Sequence, residues 1–286
     1  MESRLKIAIQ KSGRLSEKSN ELLEECGISY SVGSRSLLTS ADNFPLDILL
    51  LRDDDIPQYV EDGVADIGIL GENVVEEMAK NIQIVKRLGF AKCKLSLAIP
   101  KEIDYTDVRY FEGKRVATSY PVILQKYLGA KGVNVDIHQI SGSVEIAPSI
   151  GLADAIFDIV STGGTLQSNG LKEAEILMRA EAVLVGNKYL NVDQQAILEE
   201  LLFRIDAVLG SKGKKYVLLN APAHQLNNII ELLPGAKSPT ITPLAVEGWV
   251  AIHAVMNEND FWKIVRPLKT LGAEGILVIP IEKIIP

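Results

Sequence analysis

The sequence has few of the residues from which metal centres and nucleophilic active sites are usually built. Its two cysteines, Cys26 and Cys93, lie far apart, which is typical of a protein from a reducing compartment. Its three histidines, His138, His224 and His253, are isolated from one another. No zinc-binding spacing and no Ser-His-Asp or Cys-His arrangement occurs. These absences argue against a hydrolase that acts by one of those routes.

The sequence also lacks a long hydrophobic run and an excess of positive charge. No apolar run is long enough to cross a bilayer, and a strand predicted just after Met1 leaves no room for a signal peptide. The net charge of -7 argues against a general nucleic-acid surface. We therefore expect a cytoplasmic protein with neither membrane nor nucleic-acid partners. Its 286 residues, 47% of them hydrophobic, suffice for about two domains and a small third.

The stretch 145–166 contains the strongest chemical signal. A predicted strand at 156–160 leads into the turn Ser161-Thr162-Gly163-Gly164-Thr165. Glycines allow backbone N–H groups to approach a ligand closely, and a helix start adds unpaired donors. Asp158, just before the turn, offers acceptors that suit a ribose diol. The stretch predicts a site for a phosphorylated sugar; the alternative is a plain strand–loop–helix junction whose hydroxyls cap the helix.

Cations follow two predicted strands in the first part of the chain. Lys11 and Arg14 come after a strand at 5–10, and Arg52 comes after a buried strand at 46–51. Ligands of open α/β sheets bind at the carboxyl ends of strands, so these side chains are candidates for binding an anion. The three acids at 53–55 could hold a metal, but we favour an acid-rich helix start.

The whole pattern resembles a known family. A glutamate is followed after five residues by Gly-x-Ala, then by Ile-x-Asp-Ile and by Ser-Thr-Gly-x-Thr-Leu. This order resembles the signature of the ATP phosphoribosyltransferases, which catalyse the first step of histidine biosynthesis. The segments KSGRL, RDDDIP, DIGILGEN, ATSYP, GLADAI and STGGTL occur in the family order. SPTITPL and ILVIPIEK near the end resemble the long form of the family.

The resemblance implies a reaction and its regulation. N1 of the ATP adenine would attack C1 of phosphoribosyl pyrophosphate and release pyrophosphate, with Mg²⁺ on the leaving group. Free histidine would inhibit the enzyme through the C-terminal domain. The family also implies a homo-oligomer, from dimer to hexamer. The pattern identifies no metal ligands.

The resemblance also implies roles for particular residues. Residues 161–165 would hold the 5-phosphate and Asp158 the ribose hydroxyls, with Glu145 near them. Lys11, Arg14 and Arg52 would neutralise pyrophosphate or the ATP triphosphate. The other expected substrate contacts are Asp66, Gly68, Leu70, Gly71, Tyr120 and Asp154. The expected histidine contacts are Asn220, Ser238, Thr240, Leu244 and Ala273.

The predicted elements favour an α/β protein with a bilobal, periplasmic-binding-protein-like catalytic core. Lobe one would comprise residues 1–90 with 182–210, lobe two residues 91–181, each with a parallel sheet. One long strand at 173–185 would return the chain to lobe one. After a linker at 210–215, the order βαββαβ over 215–286 predicts a ferredoxin-like regulatory domain.

Two other functions fit the same residues. One is a bilobal small-molecule-binding or sensing protein without catalysis; the absence of a predicted export signal or DNA-binding segment argues against it. The other is a different phosphoribosyltransferase. Familiar ones have a paired-acid loop before the phosphate turn, whereas the acids here, Asp154 and Asp158, belong to another pattern.

Overall fold

Three β-sheets organise the chain, which a computed structural model describes over residues 3–31, 36–161, 163–233 and 239–285. Two sheets lie in one compact unit, Met1–Glu199, and the third lies in another, Glu200–Pro286. Among the described residues, no helix has the length and apolar character needed to cross a membrane.

The first sheet has six strands in the order β2-β3-β1-β4-β11-β5. They are β1 (Leu5–Gln10), β2 (Leu38–Ser40), β3 (Leu46–Leu51), β4 (Ile67–Gly71), β5 (Gln83–Arg87) and β11 (Ala182–Gly186). Helices α1 (Arg14–Glu25), α2 (Ile56–Glu61) and α3 (Glu72–Met78) belong to the same lobe. β1 pairs in parallel with β3 and β4, so the carboxyl ends of these strands meet at one edge.

The second sheet has five strands in the order β10-β6-β9-β7-β8. They are β6 (Cys93–Pro100), β7 (Arg115–Thr118), β8 (Asp136–Gln139), β9 (Ala155–Val160) and β10 (Leu171–Ala180), with helices α4 (Pro121–Ala130) and α5 (Gly164–Ser168). One face packs against α4 around Phe111, Leu124 and Phe157. The other face packs around Ile156, Val160 and Leu166 beneath the turn after β9.

The chain crosses twice between these sheets, from β5 to β6 and from β10 to β11. This double crossing joins two α/β lobes and confirms the predicted bilobal, periplasmic-binding-protein-like architecture. The two crossing segments are hydrogen bonded to each other, since Leu88 N–H donates to the Ala182 carbonyl and Ala182 N–H to the Phe90 carbonyl, both at 2.9 Å. The two crossing segments therefore lie side by side as a hydrogen-bonded pair.

Two details of the predicted core are wrong. The sheets are mixed and not parallel, because β11 runs antiparallel to β4 and β5, and β6 runs antiparallel to β9 and β10. The predicted long strand at 173–185 is two strands that end and begin around Glu181. The Glu181 carbonyl accepts from the Glu72 N–H at 2.9 Å, which continues the pairing of β11 with β4, whereas β10 pairs with β6 in the second sheet.

The second unit contains an antiparallel sheet in the order β13-β14-β12-β15, which confirms the ferredoxin-like prediction. Its elements are β12 (Lys214–Pro222), α7 (Leu226–Leu232), β13 (Thr240–Pro243), β14 (Trp249–Asn257), α8 (Glu258–Thr270) and β15 (Glu274–Pro280). Its core includes Leu219, Ile252, Phe261 and Leu268.

The predicted linker at 210–215 is wrong. Helix α6 (Val192–Ser211) continues to Ser211 and contains the boundary between the two units, while β12 begins at Lys214. The buried Ser211 hydroxyl contacts the Val208 and Glu282 carbonyls, both at 2.8 Å, and so ties the end of the helix to the last part of the chain. The prediction failed because this segment is rich in glycine and lysine, a composition that is typical of linkers.

Candidate active site

The turn after β9 contains a glycine in a backbone conformation that other residues rarely adopt. Gly163 has φ 84°, in the left-handed region that glycine adopts without steric cost. Helix α5 is only five residues long, so its dipole adds little and the donors of the turn itself matter most. Thr162 lies outside the described residues.

A cavity of about 340 Å³ brings six of the predicted residues together. Its lining includes Arg14, Glu145, Asp158, Ser161, Gly163 and Thr165. Arg14 belongs to the first lobe and the other five belong to the second. The cavity therefore places a cation and hydroxyl donors beside two carboxylates, which is the combination that a phosphorylated sugar requires.

Asp158 sits half-buried on β9, directly across from Ser96 of β6. Burial raises the pKa of its carboxyl group, a hydrogen bond from the Ile159 N–H at 2.7 Å lowers it, and the negative charge of Glu145 raises it again. The net pKa shift is upward. Removal from water is the largest cause, so its charge will interact strongly with a ligand.

Glu145 projects from a single helical turn, Val144–Ile146, anchored by the buried side chains of Val144 and Ala147. The turn follows Ser143, whose φ of 50° is unusual for a residue other than glycine. Such strained residues are concentrated at functional sites, where the surrounding structure holds them in place. Ser143 thus precedes the turn that contributes Glu145 to the lining of the cavity.

Arg14 is the first residue of α1, at the carboxyl end of β1. Lys11 lies at the same sheet edge, where its N–H donates to the Leu51 carbonyl at 2.8 Å. Arg52 follows Leu51, and both Lys11 and Arg52 have exposed side chains. Neither lines the cavity. The structure thus brings the three predicted cations to one edge, but only Arg14 lines the cavity beside residues 161–165, the predicted phosphate turn.

A larger cavity of about 1010 Å³ is lined by residues of both lobes. Tyr120 lines it, together with Asp53 and Asp54 from the acid-rich turn. Burial, and then the negative charge of Asp158, raise the pKa of Tyr120. The Asn73 amide donates to the Tyr120 hydroxyl at 3.2 Å. Tyr120 thus lines the larger cavity and is hydrogen bonded to helix α3 of the first lobe.

Two predicted acids lie at the amino ends of their strands, opposite to the carboxyl ends at which ligands of α/β sheets bind. Asp66 precedes β4, where it accepts from the Lys6 N–H and the Gln194 amide, both at 2.7 Å. Asp154 precedes β9 and forms an ion pair with Arg115 at 2.9 Å. Both carboxylates are occupied by structural partners away from the carboxyl edge, so we leave them out of the proposed site.

The predicted residues of β4 have packing explanations. A Cβ atom on Gly68 would lie 2.6 Å from the Ile56 side chain, so glycine is needed for α2 to pack on β4. A Cβ atom on Gly71 would lie 2.3 Å from the Asn73 side-chain oxygen. Leu70 is fully buried in the core. The spacing of this segment reflects helix–sheet packing, and none of the three lines a cavity described above.

Three predicted histidine contacts lie at the surface or partly buried in the second unit. Asn220 on β12 and Thr240 on β13 share one face of the sheet, with β14 between their strands. Leu244 is half-buried, and Ser238 lies outside the described residues. Ala273 is 4% exposed within the domain core, so the prediction that it packs on a ligand is not supported.

Sequence reasoning missed two residues of α3 that face the second lobe. Asn73 contacts Tyr120, and Glu77 accepts hydrogen bonds from Val122 and Ile123 at the start of α4. Asn73 is the last residue of the segment DIGILGEN, and Glu77 follows that segment. The polar end of the segment was the sequence signal that could have indicated these contacts. A polar residue in a short helix is usually solvated, so only the fold reveals these contacts.

Comparison with known proteins identifies the family of this chain. The ATP phosphoribosyltransferase family model matches residues 52–207, and the model of the HisG C-terminal domain matches residues 211–283. A curated ATP phosphoribosyltransferase of Phocaeicola vulgatus is 57% identical over 281 residues, which cover 98% of this chain and 99% of that one. One from Cytophaga hutchinsonii is 56% identical over 285 residues, with complete coverage of both chains.

A solved structure extends the likeness to the fold. It is the ATP phosphoribosyl transferase (HisG:HisZ) complex from Thermotoga maritima, of which one chain is 32% identical with a TM-score of 0.61. The match covers 71% of this chain and 98% of that chain. From these matches over its whole length, the chain belongs to the ATP phosphoribosyltransferase family, and it includes the C-terminal domain expected of the long form.

Proposed function

We propose that the protein transfers the 5-phosphoribosyl group of phosphoribosyl pyrophosphate to N1 of ATP and releases pyrophosphate. The observation that supports this most is the cavity in which Arg14 faces the phosphate turn beside Asp158 and Glu145. The relatives from Phocaeicola vulgatus and Cytophaga hutchinsonii are named ATP phosphoribosyltransferase, which supports a reaction of this class. In this proposal the reaction is the first step of histidine biosynthesis.

The phosphate turn would bind the 5-phosphate. Ser161 and Thr165 offer hydroxyl donors, and the open backbone at Gly163 allows N–H groups to approach phosphate oxygens. No cation is needed inside the turn, because oriented backbone dipoles form an anion-binding concavity. The 5-phosphate would thereby fix the sugar with C1 toward the cleft.

The two carboxylates would act on the ribosyl ring. Asp158 would accept hydrogen bonds from the ribose hydroxyls, with Glu145 nearby. As pyrophosphate leaves, positive charge develops on the ring, and preformed negative charges in a partly desolvated site stabilise it. Catalysis would thus come from positioning and electrostatics, without a covalent intermediate.

The cations at the first-lobe edge would bind the leaving group or the ATP triphosphate. Arg14 faces the cavity directly, while Lys11 and Arg52 lie at the same edge outside it. Guanidinium groups bind phosphate oxygens in a bidentate manner, which gives Arg14 both charge and geometry. Tyr120, at the adjoining cavity, would face the nucleotide.

We propose Mg²⁺ as the metal of this reaction. Among the described residues, no group of three or more histidine, cysteine or acidic side chains could hold a metal ion. Mg²⁺ is often bound by one or two carboxylates together with substrate phosphates and water. The oxygens of Asp158 and Glu145 fit that role. Bound there, the ion would neutralise charge on the pyrophosphate.

A turnover assay tests the proposed function. The full chain would be incubated with ATP, phosphoribosyl pyrophosphate and Mg²⁺, and the absorbance of the N1 adduct would be followed. We expect adduct formation that depends on all three components. Binding of either substrate without turnover would instead favour a bilobal binding or sensing protein.

Thr165→Ala should raise the KM for phosphoribosyl pyrophosphate by roughly ten- to a hundredfold, because it removes one hydrogen bond to a charged phosphate. Steady-state kinetics at saturating ATP would measure this. Ser168→Ala is the matched control: its hydroxyl lies on the same helix but donates to the Gly164 carbonyl at 3.1 Å. If both variants are folded and have the same kinetics, the turn caps the helix and does not bind the phosphate.

The second unit would bind free histidine as a feedback inhibitor. None of its described residues is among those that line the cavity with Arg14, which fits a regulatory role. Asn220 and Thr240 offer amide and hydroxyl groups on one sheet face, and half-buried Leu244 offers an apolar contact. Histidine can inhibit only by binding an inactive arrangement more tightly than the active one.

Thr240→Ala should shift histidine inhibition to a roughly tenfold higher concentration and leave turnover without histidine unchanged, because one hydrogen bond to the ligand is lost. Inhibition curves would measure the shift. Thr270→Ala, whose hydroxyl donates to the Arg266 carbonyl at the end of α8, is the control. Calorimetry without histidine binding to the wild type at millimolar ligand would refute the regulatory proposal and leave the transferase proposal intact.

We further propose a homo-oligomer, from dimer to hexamer, in the cytoplasm. The location rests on the cysteine content of the sequence, whose two cysteines lie far apart, as is typical of a protein from a reducing compartment. The oligomer rests on the family resemblance. Sedimentation with and without histidine would measure the assembly, and a monomer under both conditions would contradict it.

A further inference from the structure

We propose that Glu77 is a positioning residue, which holds the two lobes at the angle where Arg14 meets the phosphate turn. Glu77 lies on α3 of the first lobe, and its carboxylate reaches α4 of the second. One oxygen accepts from the Val122 N–H at 2.9 Å, and the other accepts from the Ile123 N–H at 3.0 Å. One side chain thus forms two directional bonds across the cleft.

The donors belong to the first turn of α4, where N–H groups have no carbonyl partner within the helix. Pro121 comes first and has no N–H, so Val122 and Ile123 are the first donors available. The carboxylate also complements the positive end of this ten-residue helix. Charge-assisted bonds of this kind are stronger than neutral ones. Glu77 therefore caps α4, because the residue that precedes this helix forms no side-chain cap hydrogen bond.

A second contact joins the same two elements. Asn73, one helical turn before Glu77, donates to the Tyr120 hydroxyl at 3.2 Å and is only 5% exposed. Tyr120 immediately precedes α4. The start of α3 is itself fixed at the double crossing, where the Glu72 N–H donates to the Glu181 carbonyl at 2.9 Å. Helix α3 is thus anchored at the crossing and bonded at two points to the second lobe.

These contacts bear on the reaction because the catalytic cavity is shared. Arg14 comes from the first lobe and the phosphate turn from the second, so the angle between the lobes sets their separation. Glu77 does not line this cavity, although it lines the larger cavity together with Tyr120, where the nucleotide is proposed to bind. A direct effect of Glu77 on a substrate would therefore appear in the KM for ATP, and the KM for phosphoribosyl pyrophosphate reports the lobe angle, a conclusion that rests on the proposed function.

Without Glu77 the ligand-free protein should populate more open arrangements. Part of the free energy of substrate binding must then be used to close the lobes. The apparent KM therefore rises by the same factor by which the population of closed molecules falls. At saturation the substrate itself keeps the lobes closed, so kcat should change little. A merely structural residue would lower the melting temperature without this separation of KM from kcat.

The kinetic test compares two neighbours on α3. For Glu77→Ala we expect the KM for phosphoribosyl pyrophosphate to rise roughly tenfold and kcat to change by about twofold or less. Glu77→Gln keeps one acceptor oxygen and should restore part of the affinity. Glu76→Ala is the control, because Glu76 pairs with Lys126 across the same cleft at 3.5 Å but in an exposed ion pair. Its KM should stay within about twofold of the wild type.

A structural test needs no turnover. Small-angle scattering of the full chain without ligand, at matched oligomeric state, should give a larger radius of gyration for Glu77→Ala than for Glu76→Ala or the wild type. Phosphoribosyl pyrophosphate should remove the difference. Equal radii and equal KM values in the two variants would overturn the proposal. If Glu77→Ala does not fold, Glu77→Gln takes its place in both tests.

The two tests separate this inference from the proposed function. A wild-type chain without turnover would refute the proposed reaction, while the scattering comparison would still decide whether Glu77 sets the lobe angle. Normal wild-type turnover with unchanged variants would refute the role of Glu77 alone.

Discussion

Asp158→Asn is expected to lower kcat/KM by about a hundred- to a thousandfold and, at the same time, to raise the melting temperature at neutral pH. The kinetic loss follows from removing a preorganised charge that stabilises the developing positive charge on the ribosyl ring. The amide keeps the shape of the side chain and an oxygen that can accept from the Ile159 N–H. Initial rates over a range of both substrates would measure the loss.

The gain in stability follows from the pKa of Asp158, which is raised in the folded protein mainly by burial. For a carboxyl group with a raised folded pKa, the stability contribution is fully present below the unfolded pKa and is lost as the pH rises through the folded value. At neutral pH the wild type thus bears the whole cost of a buried charge, whereas asparagine bears none. The difference in melting temperature should disappear at acid pH.

Asp154→Asn provides a control of opposite sign. The hydrogen bonds from Arg115 hold the pKa of Asp154 below its usual range, so its contribution to stability is present at neutral pH and is lost as the pH falls. This variant should melt at a lower temperature than the wild type at neutral pH. If Asp158→Asn instead melts lower and retains its activity, Asp158 is a structural residue and the placement of the ribose is wrong.

Arg14→Ala should lower kcat/KM by about a hundredfold, with the loss expressed mainly in the KM for a phosphate-bearing substrate. Among the described residues that line the cavity with the phosphate turn, Arg14 is the one cation, so no other side chain of that described lining can replace its charge. A bidentate guanidinium contact with phosphate combines charge with geometry. Kinetics for each substrate in turn would show which one Arg14 binds.

Two further variants make this result specific. Arg14→Lys keeps the charge but loses the bidentate geometry, and should recover only part of the activity. Lys18→Ala removes a cation from the same helix, where Lys18 forms an exposed ion pair with Glu21, and should behave as the wild type. Melting curves would check the fold. Kinetics of Arg14→Ala that match those of Lys18→Ala would exclude Arg14 from the site.

Much of the fold follows from local patterns. The apolar run of β3 and the alternation in β6 predicted these strands closely, because central strands bury their side chains in a regular order. The strands β2 and β5 were missed, since they are short and mostly polar or exposed. Strand direction was also missed, because it depends on where the chain returns after the second crossing and not on the strand itself.

The candidate site was predictable where one segment contains it. Glu145, Asp158 and the turn lie within about twenty residues, so their pattern could be recognised directly. That Arg14 lines the same cavity depends on segments from two lobes and required the fold. Gly68 shows the converse: a glycine in a promising segment is explained by the Ile56 side chain that packs against it.

The double crossing decides how the cleft can move. Two strands that are hydrogen bonded through Leu88 and Ala182 can bend together, but they cannot slide past each other without breaking both 2.9 Å bonds. We expect the cleft to open as a hinge at this crossing, with both connections bending together. The alignment of Arg14 with the turn after β9 would then depend on backbone hydrogen bonds that lie outside the cavity itself.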